Sequence, residues 1–222
     1  MKAICLLSGG LDSTVTLAYA IHQGYEVTAL TINYGQRHKR ELDAARAVAA
    51  HYKVPHIVME FPLTGFRSAL TDVNIPVPDR RSEEIGYDIP DTYVPARNIV
   101  FLSLAAGMAE SVDASAVFIG ANAIDYSGYP DCRPEFFQAF EDMLEVGTKR
   151  GVLGHPVSIE HPILKKTKAE IVKMGMMLKA PLHLTWSCYR GGDKACGHCD
   201  SCVLRLKGFK EAGAKDPVAY EG

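Results

Sequence analysis

The 222-residue chain has little excess charge of either sign, because 24 Lys and Arg face 26 Asp and Glu for a formal net charge of −2. No global positive field draws it onto phosphate backbones or anionic membrane surfaces, so nucleic-acid binding would need a local basic patch. Long apolar runs are also missing. The longest, Ile99 to Ala109, is broken by Ser103 and Gly107 and falls short of the roughly 18 residues of a membrane helix. Only Lys2 and the short run Ala3 to Leu7 precede a Ser-Gly-Gly break, too little for a signal-peptide core, and a cytoplasmic location is expected. Internal repeats are absent.

What is present is ordinary globular composition, 47% apolar and 23% charged residues, in a chain long enough to bury about 70% of its unfolded surface. The pattern alternates. Lys2 to Leu7 reads as a strand and Asp12 to His22 as a helix, followed by strand Tyr25 to Asn33, helix Lys39 to Lys53 and strand His56 to Phe61. A stretch from Pro62 to Pro95 with little periodicity reads as a long excursion able to cover a site. Asn98 to Ser111 then reads as a buried helix, Ala114 to Ile119 as a strand and Pro134 to Lys149 as a helix opened by proline. Alternation continues to about residue 164. Thr167 to Leu178 is helical, and Ser187 to Cys202 is short, polar and cysteine-rich. The expected fold is α/β, a doubly wound, mostly parallel sheet over residues 1–164. A helical, metal-binding region over 165–222 is packed on it, and ligands lie at the carboxyl ends of the strands.

The strongest motif, Leu7-Ser8-Gly9-Gly10-Leu11-Asp12-Ser13-Thr14, falls between the first strand and the first helix. Two glycines let backbone N–H groups turn toward a phosphate, the helix N-terminus adds its dipole, and the hydroxyls of Ser8, Ser13 and Thr14 can donate. The lysine of GxxxxGK[ST] and the spacing of GxGxxG are both missing, so neither a P-loop NTPase nor a dinucleotide fold is indicated.

Four of the six cysteines, Cys188, Cys196, Cys199 and Cys202, fall within fifteen positions. Tight Cys-x2-Cys turns aim sulfurs at one point, and four thiolates close a tetrahedral structural Zn²⁺ site. An iron–sulfur cluster is the alternative, although no proline follows Cys202; His198 is a substitute ligand. Cys5 reads as a core residue, and Cys132, in a polar loop, as a candidate site residue. Three further segments should converge at the strand ends: Gly35 to His38, Val94 to Asn98 and Gly120 to Arg133. Arg97 can hold a carboxylate or phosphate bidentately, while Asp125 and Asp131 can accept from heterocycle N–H groups. Arg37 to Arg40 reads as an exposed helix start. One of Lys165, Lys166 and Lys168 is placed to neutralise a triphosphate, and Lys165 is the one expected.

The loop matches the SGGxDS motif of the PP-loop ATP pyrophosphatases, which resemble the adenine nucleotide α-hydrolases in fold. That resemblance implies cleavage of ATP between its α- and β-phosphates with transfer of AMP to a substrate oxygen. ATP would lie along Leu7, Ser8, Gly9, Gly10, Leu11, Asp12, Ser13, Thr14, Val15, Thr16 and Leu17; Asp12, near Mg²⁺, and Ser13 would be catalytic. With the GQRH, VPARN, SGYPDCR and TWSCY…CGHCDSC segments, the whole chain resembles the 7-cyano-7-deazaguanine synthase family of the queuosine pathway. This implies a C–N bond-forming ligase that takes 7-carboxy-7-deazaguanine, ammonium and ATP to a nitrile. Arg97 would hold the carboxylate, Asp125 or Asp131 the ring donors, and Tyr126 or Tyr129 the ring face, with Asn98 and Arg133 beside them. The implied partners are small molecules alone, without nucleic acid or membrane, in a monomer or homodimer. A PP-loop tRNA-modifying enzyme, of thiolase or lysidine-synthase type, is the alternative; the charge of −2 and the lack of a separate basic domain weigh against it.

Overall fold

A computed structural model of the chain describes residues 1–63, 65–79, 89–124 and 129–221. Five parallel strands, β1 (Lys2–Leu6), β2 (Glu26–Asn33), β3 (His56–Glu60), β4 (Ala116–Phe118) and β5 (Ser158–Glu160), form one sheet in the order β3-β2-β1-β4-β5. β1 pairs with β2 from Lys2↔Glu26 to Leu6↔Leu30, and with β4 from Ala3↔Ala116 to Cys5↔Phe118. Residues alternate between faces, as the two-residue period of a strand requires. Ala3, Cys5 and Val27 pack against Leu17 and Ala20 of α1 (Leu11–His22) and Ala45 and Val48 of α2 (Arg40–Tyr52). Ile4, Leu30 and Val117 meet Leu102 of α3 (Arg97–Ser111) and Phe137 and Phe140 of α4 (Pro134–Gly147) on the other face. Both faces are covered, which is why β1 reads as an unbroken apolar run.

The chain winds outward from β1 in one direction through β2 and β3 and in the other through β4 and β5. The order therefore reverses between β1 and β4, opening a crevice at their carboxyl ends. After the short helix α5 (Lys149–Val152) and β5, helix α6 (Lys168–Met177) begins with a reciprocal cap in which Thr167 accepts from the Glu170 N–H and Glu170 from the Thr167 N–H. Ile171 and Val172 of α6, with Phe209 of α7 (Asp200–Glu211), pack on Leu11 and Val15 of α1. Residues beyond 164 thus share a core with the first helix, and α7, hidden in the sequence by its cysteine spacing, supplies part of it.

The expected boundaries shift by a residue or two at most ends. β4 is shorter than Ala114 to Ile119, because Ala114 donates instead to the Ala109 carbonyl at the end of α3. Within the proline-rich excursion, Arg37 donates to the carbonyls of Ala69, Val73 and Ile75 at 3.1–3.2 Å. It is a strut rather than part of a solvated helix start. Further on, Asp79 accepts from Arg190 at 2.8 Å and meets His198 at 2.8 Å. The excursion is therefore tied to the cysteine-rich segment.

Candidate functional site

The Ser-Gly-Gly loop leaves β1 at the crevice and enters α1. Gly9 has φ +82°, and a Cβ there would run into the α2 backbone at Glu41 and Ala45, so only glycine fits. The Ser13 hydroxyl accepts from the Ser8 N–H at 3.2 Å and lies 3.0 Å from the Ser8 hydroxyl, and Gly10 N–H points back at Ser8 Oγ. These bonds hold the turn in one shape beside the cleft that Ser8, Gly10 and Ser13 line. Gly120, just past β4, lies directly beneath the start of α1, where its Cβ would stand 2.8 Å from Ser13 N. From the far end of the chain, the Trp186 N–H donates to the Gly9 carbonyl at 2.8 Å. The loop is clamped from three sides before any ligand arrives, the condition for electrostatic preorganisation.

Asp12 faces the crevice, and Lys168 Nζ bonds both of its oxygens, at 2.8 and 3.0 Å. Lys168 is 7% exposed, with its stem packed against Gly208 of α7, where no larger residue fits. The lysine that reaches the loop is therefore Lys168. Lys165, expected from the sequence, is exposed and outside the cleft, because it lies in the turn before α6 rather than on the face that meets α1. Of the expected ATP-holding stretch, Leu7, Ser8, Gly10, Leu11, Asp12 and Ser13 line the cleft and Gly9 shapes it. Thr14, Val15, Thr16 and Leu17 are fully buried in the core, with no side chain reaching the cleft.

The cleft has a volume of about 240 Å³ and runs from the loop to a wall of Tyr34, Phe101, Arg97, Asn98, Tyr129 and Cys132. Arg97 faces the hydroxyls of Tyr34 and Tyr129, the Asp131 carboxylate and Cys132. Burial alone would lower its pKa, but these groups reverse that and hold it charged. Asn98 lines the wall through an amide that donates to the Asp131 carbonyl at 3.0 Å and to Cys132 Sγ at 3.3 Å. Cys132 does face the site, as a neutral thiol pushed up to about 12 by burial. Asp131 does not line the cleft: its carboxylate accepts the Asn98 N–H at 3.0 Å at the start of α3. Arg133 is exposed at the start of α4, away from the cleft. Asp125 and Tyr126 lie outside the described residues.

Sequence reasoning missed Glu41, on the first turn of α2, whose carboxylate lines the cleft with a pKa raised by burial to about 7. It also missed Tyr189 and Arg205, cleft residues from the cysteine-rich region and α7. The buried Arg205 pairs with Asp216 at 2.7 and 3.0 Å and donates to Thr185 at 2.8 Å, fixing the C-terminal wall. Glu41 and Arg205 sit among helix-forming neighbours and carry no local mark of what they will face, whereas Asp12, Arg97 and Lys168 stand among the residues expected from the sequence.

The four cysteines converge as expected. Sγ atoms of Cys188, Cys196, Cys199 and Cys202 lie within 4.8 Å of one another, all buried. N–H groups of Arg190 and Cys196 point at Cys188 Sγ, and that of Cys199 at Cys196 Sγ, each at 3.4 Å. Hydrogen bonds from Cys199 and Cys202 hold the Cys188 thiol far below its usual range, while the contact with Cys188 pushes Cys199 up to about 12. Four sulfurs this close share protons unless a cation replaces them. Four-sulfur donation with no open position suits a structural Zn²⁺. Trp186, Val77, Val218 and Tyr220 pack around the cluster.

A sheet of this order with Ser-Gly-Gly-x-Asp-Ser at its switch point places the protein among the PP-loop enzymes of the adenine nucleotide α-hydrolase fold. NMN synthetase from Francisella tularensis superposes with TM-score 0.50 over 96% of this chain and 77% of its own, at 15% identity, a likeness of fold alone. The sequence model described as "Queuosine biosynthesis protein QueC" matches residues 2–213, and the chain belongs to that family. It is 57% identical over 220 residues to the 7-cyano-7-deazaguanine synthase of Acetivibrio thermocellus, covering 99% of this chain and 97% of that one. With the protein of the same name from Thermoplasma acidophilum it shares 56% over 221 residues, covering 99% and 92%. No helix among the described residues is long and apolar enough to cross a membrane.

Proposed function

We propose that the protein converts 7-carboxy-7-deazaguanine and ammonia to 7-cyano-7-deazaguanine at the expense of ATP, in the cytoplasm. The observation that carries this reading is the clamped Ser8–Ser13 loop opening onto a cleft walled by Arg97, in a chain whose relatives bear that enzyme's name. In this reading the loop amides and the Ser8 and Ser13 hydroxyls bind the β- and γ-phosphates, where negative charge grows as pyrophosphate leaves. Lys168 turns from Asp12 to the phosphates. The freed Asp12 carboxylate suits Mg²⁺, which would offset phosphate charge when bound.

Arg97 directs a carboxylate oxygen of the acid at the α-phosphorus. The new P–O bond forms as the bond to pyrophosphate breaks, leaving an acyl adenylate. Ammonia attacks its carbonyl carbon, AMP departs with the C–O electron pair, and a proton is lost to give the amide. A second adenylation falls on the amide oxygen. Loss of two N–H protons with departure of AMP then leaves the C≡N triple bond. Each carboxyl oxygen thus leaves on phosphorus, a far better leaving group than hydroxide. Cys188, Cys196, Cys199 and Cys202 would hold a structural Zn²⁺, and the segment they anchor carries Ser187 and Tyr189 of the cleft wall.

Mass spectrometry after incubation with ATP, ammonium and the acid tests this. A product lighter than the amide by one water, with AMP and pyrophosphate released in step, supports the reading. An inert acid, with a tRNA modified at the expense of ATP instead, would falsify it.

A further inference from the structure

We infer that Glu41 and Arg97 together read the lactam edge of the substrate ring. Glu41 accepts from the ring N–H and the exocyclic amine, and Arg97 spans the adjacent ring carbonyl and the carboxylate. This rests on the function proposed above and fills the place that Asp131, tied to Asn98, leaves open.

Glu41 and Arg97 reach the cleft from opposite crossovers, on the first turn of α2 and at the first residue of α3. They are neighbours there. Arg97 is felt at the Glu41 carboxylate, and Tyr34 senses both. Yet they form no ion pair, and among the described residues the Glu41 carboxylate has no hydrogen-bond partner. An acceptor and a cationic donor so placed leave room for a ligand bearing the opposite pattern side by side.

A 7-carboxy-7-deazaguanine bears that pattern. Its ring carbonyl lies between the carboxyl substituent on one side and the ring N–H on the other, with the exocyclic amine next in line. The guanidinium fork can bridge carboxylate and carbonyl, and the neighbouring carboxylate takes both nitrogen donors. Aromatic rings line the same cleft: Tyr34 and Phe101, with centroids 5.5 Å apart, and Tyr129. The backbone of Glu41 packs on Gly9, so the residue that reads the ring is fixed to the loop that holds the phosphates. An adenine-like ring would set a lone pair against the Glu41 carboxylate, a repulsion that adds to discrimination.

The test is kcat/KM and calorimetric Kd of the zinc-loaded full chain for the natural acid and for the analogue lacking the 2-amino group, in wild type and Glu41→Gln. Wild type should prefer the amino-bearing acid by about tenfold or more, since losing one hydrogen bond leaves a buried carboxylate partly unsatisfied. In Glu41→Gln the natural acid should lose about tenfold to a hundredfold and the preference should collapse toward unity, with KM for ATP within about twofold. Glu41→Asp, which keeps the charge at the helix start but shortens the reach, should collapse it as well. An equal loss on both acids, or a preference retained in both variants, overturns the assignment. A wild-type chain that neither binds nor converts either acid rejects the proposed function itself, whereas normal conversion with the preference untouched in the variants rejects only the role of Glu41.

Discussion

Replacing Gly120 by alanine adds one methyl group at the point where the end of β4 supports the phosphate loop. The new Cβ would stand 2.8 Å from Ser13 N and 2.9 Å from Asp12 C and Ser13 Cα, against an ordinary contact of 3.4 Å or more. All three neighbours are backbone, so no side chain can swing aside. Either β4 or the start of α1 must move by about half an ångström, and β4 is held between β1 and β5. Overpacking of this kind costs ~1–3 kcal/mol, which lowers Tm by about 3–10 °C in a domain of this size. The larger effect should be on chemistry, since the displaced atoms carry the Asp12 carboxylate and the Ser13 hydroxyl. A misplacement approaching 1 Å at reacting groups lowers rates by up to about a hundredfold, so we expect kcat for pyrophosphate release to fall about ten- to a hundredfold. Gly107→Ala is the control: its Cβ meets nothing within 4 Å on an exposed face of α3, and it should stabilise by ~0.5–1 kcal/mol without changing the rate. Scanning calorimetry and a pyrophosphate-coupled assay read both quantities. A Gly120→Ala protein with wild-type kcat would show that the loop is not positioned by this contact.

Lys168→Ala should lower both kcat and Tm, because it strips two charge-assisted hydrogen bonds from Asp12, worth ~1.5–3 kcal/mol each to a partly buried partner; Lys165→Ala, on an exposed residue, should change neither, and the reverse ranking would reject the structural choice between them. Removal of bound zinc by a chelator, or Cys199→Ser, should shift the fluorescence of Trp186, the single tryptophan, whose indole N–H donates to the Cys188 carbonyl at 3.0 Å; metal analysis giving iron in place of about one zinc per chain would replace the structural-zinc assignment. Cys132, whose pKa burial pushes up to about 12, stays a neutral thiol at pH 7–8, so iodoacetamide should label it only after unfolding; fast labelling of the native protein would contradict that burial. Arg37→Ala removes donors to three carbonyls and should open the 66–76 segment to proteases, while uniform resistance would mean the segment is held elsewhere.

The amino-acid sequence by itself determined the alternation of strands and helices, the phosphate loop and the cysteine quartet. Each depends on residues close in the chain: period-two and helical apolar patterns, two glycines ahead of a helix, and Cys-x2-Cys turns whose sulfurs are aimed by local backbone. Tertiary structure alone decided which charged side chains meet in the cleft. Lys168 rather than Lys165 reaches Asp12 because Gly208 of α7 admits its stem, a contact between residues 40 positions apart. Asp131 is withdrawn from the cleft because the N-terminus of α3 needs its carboxylate, and Glu41 enters it because Gly9 lets α2 approach the loop. Charged residues in helices look alike along the chain, and their roles follow from long-range packing that no local pattern encodes.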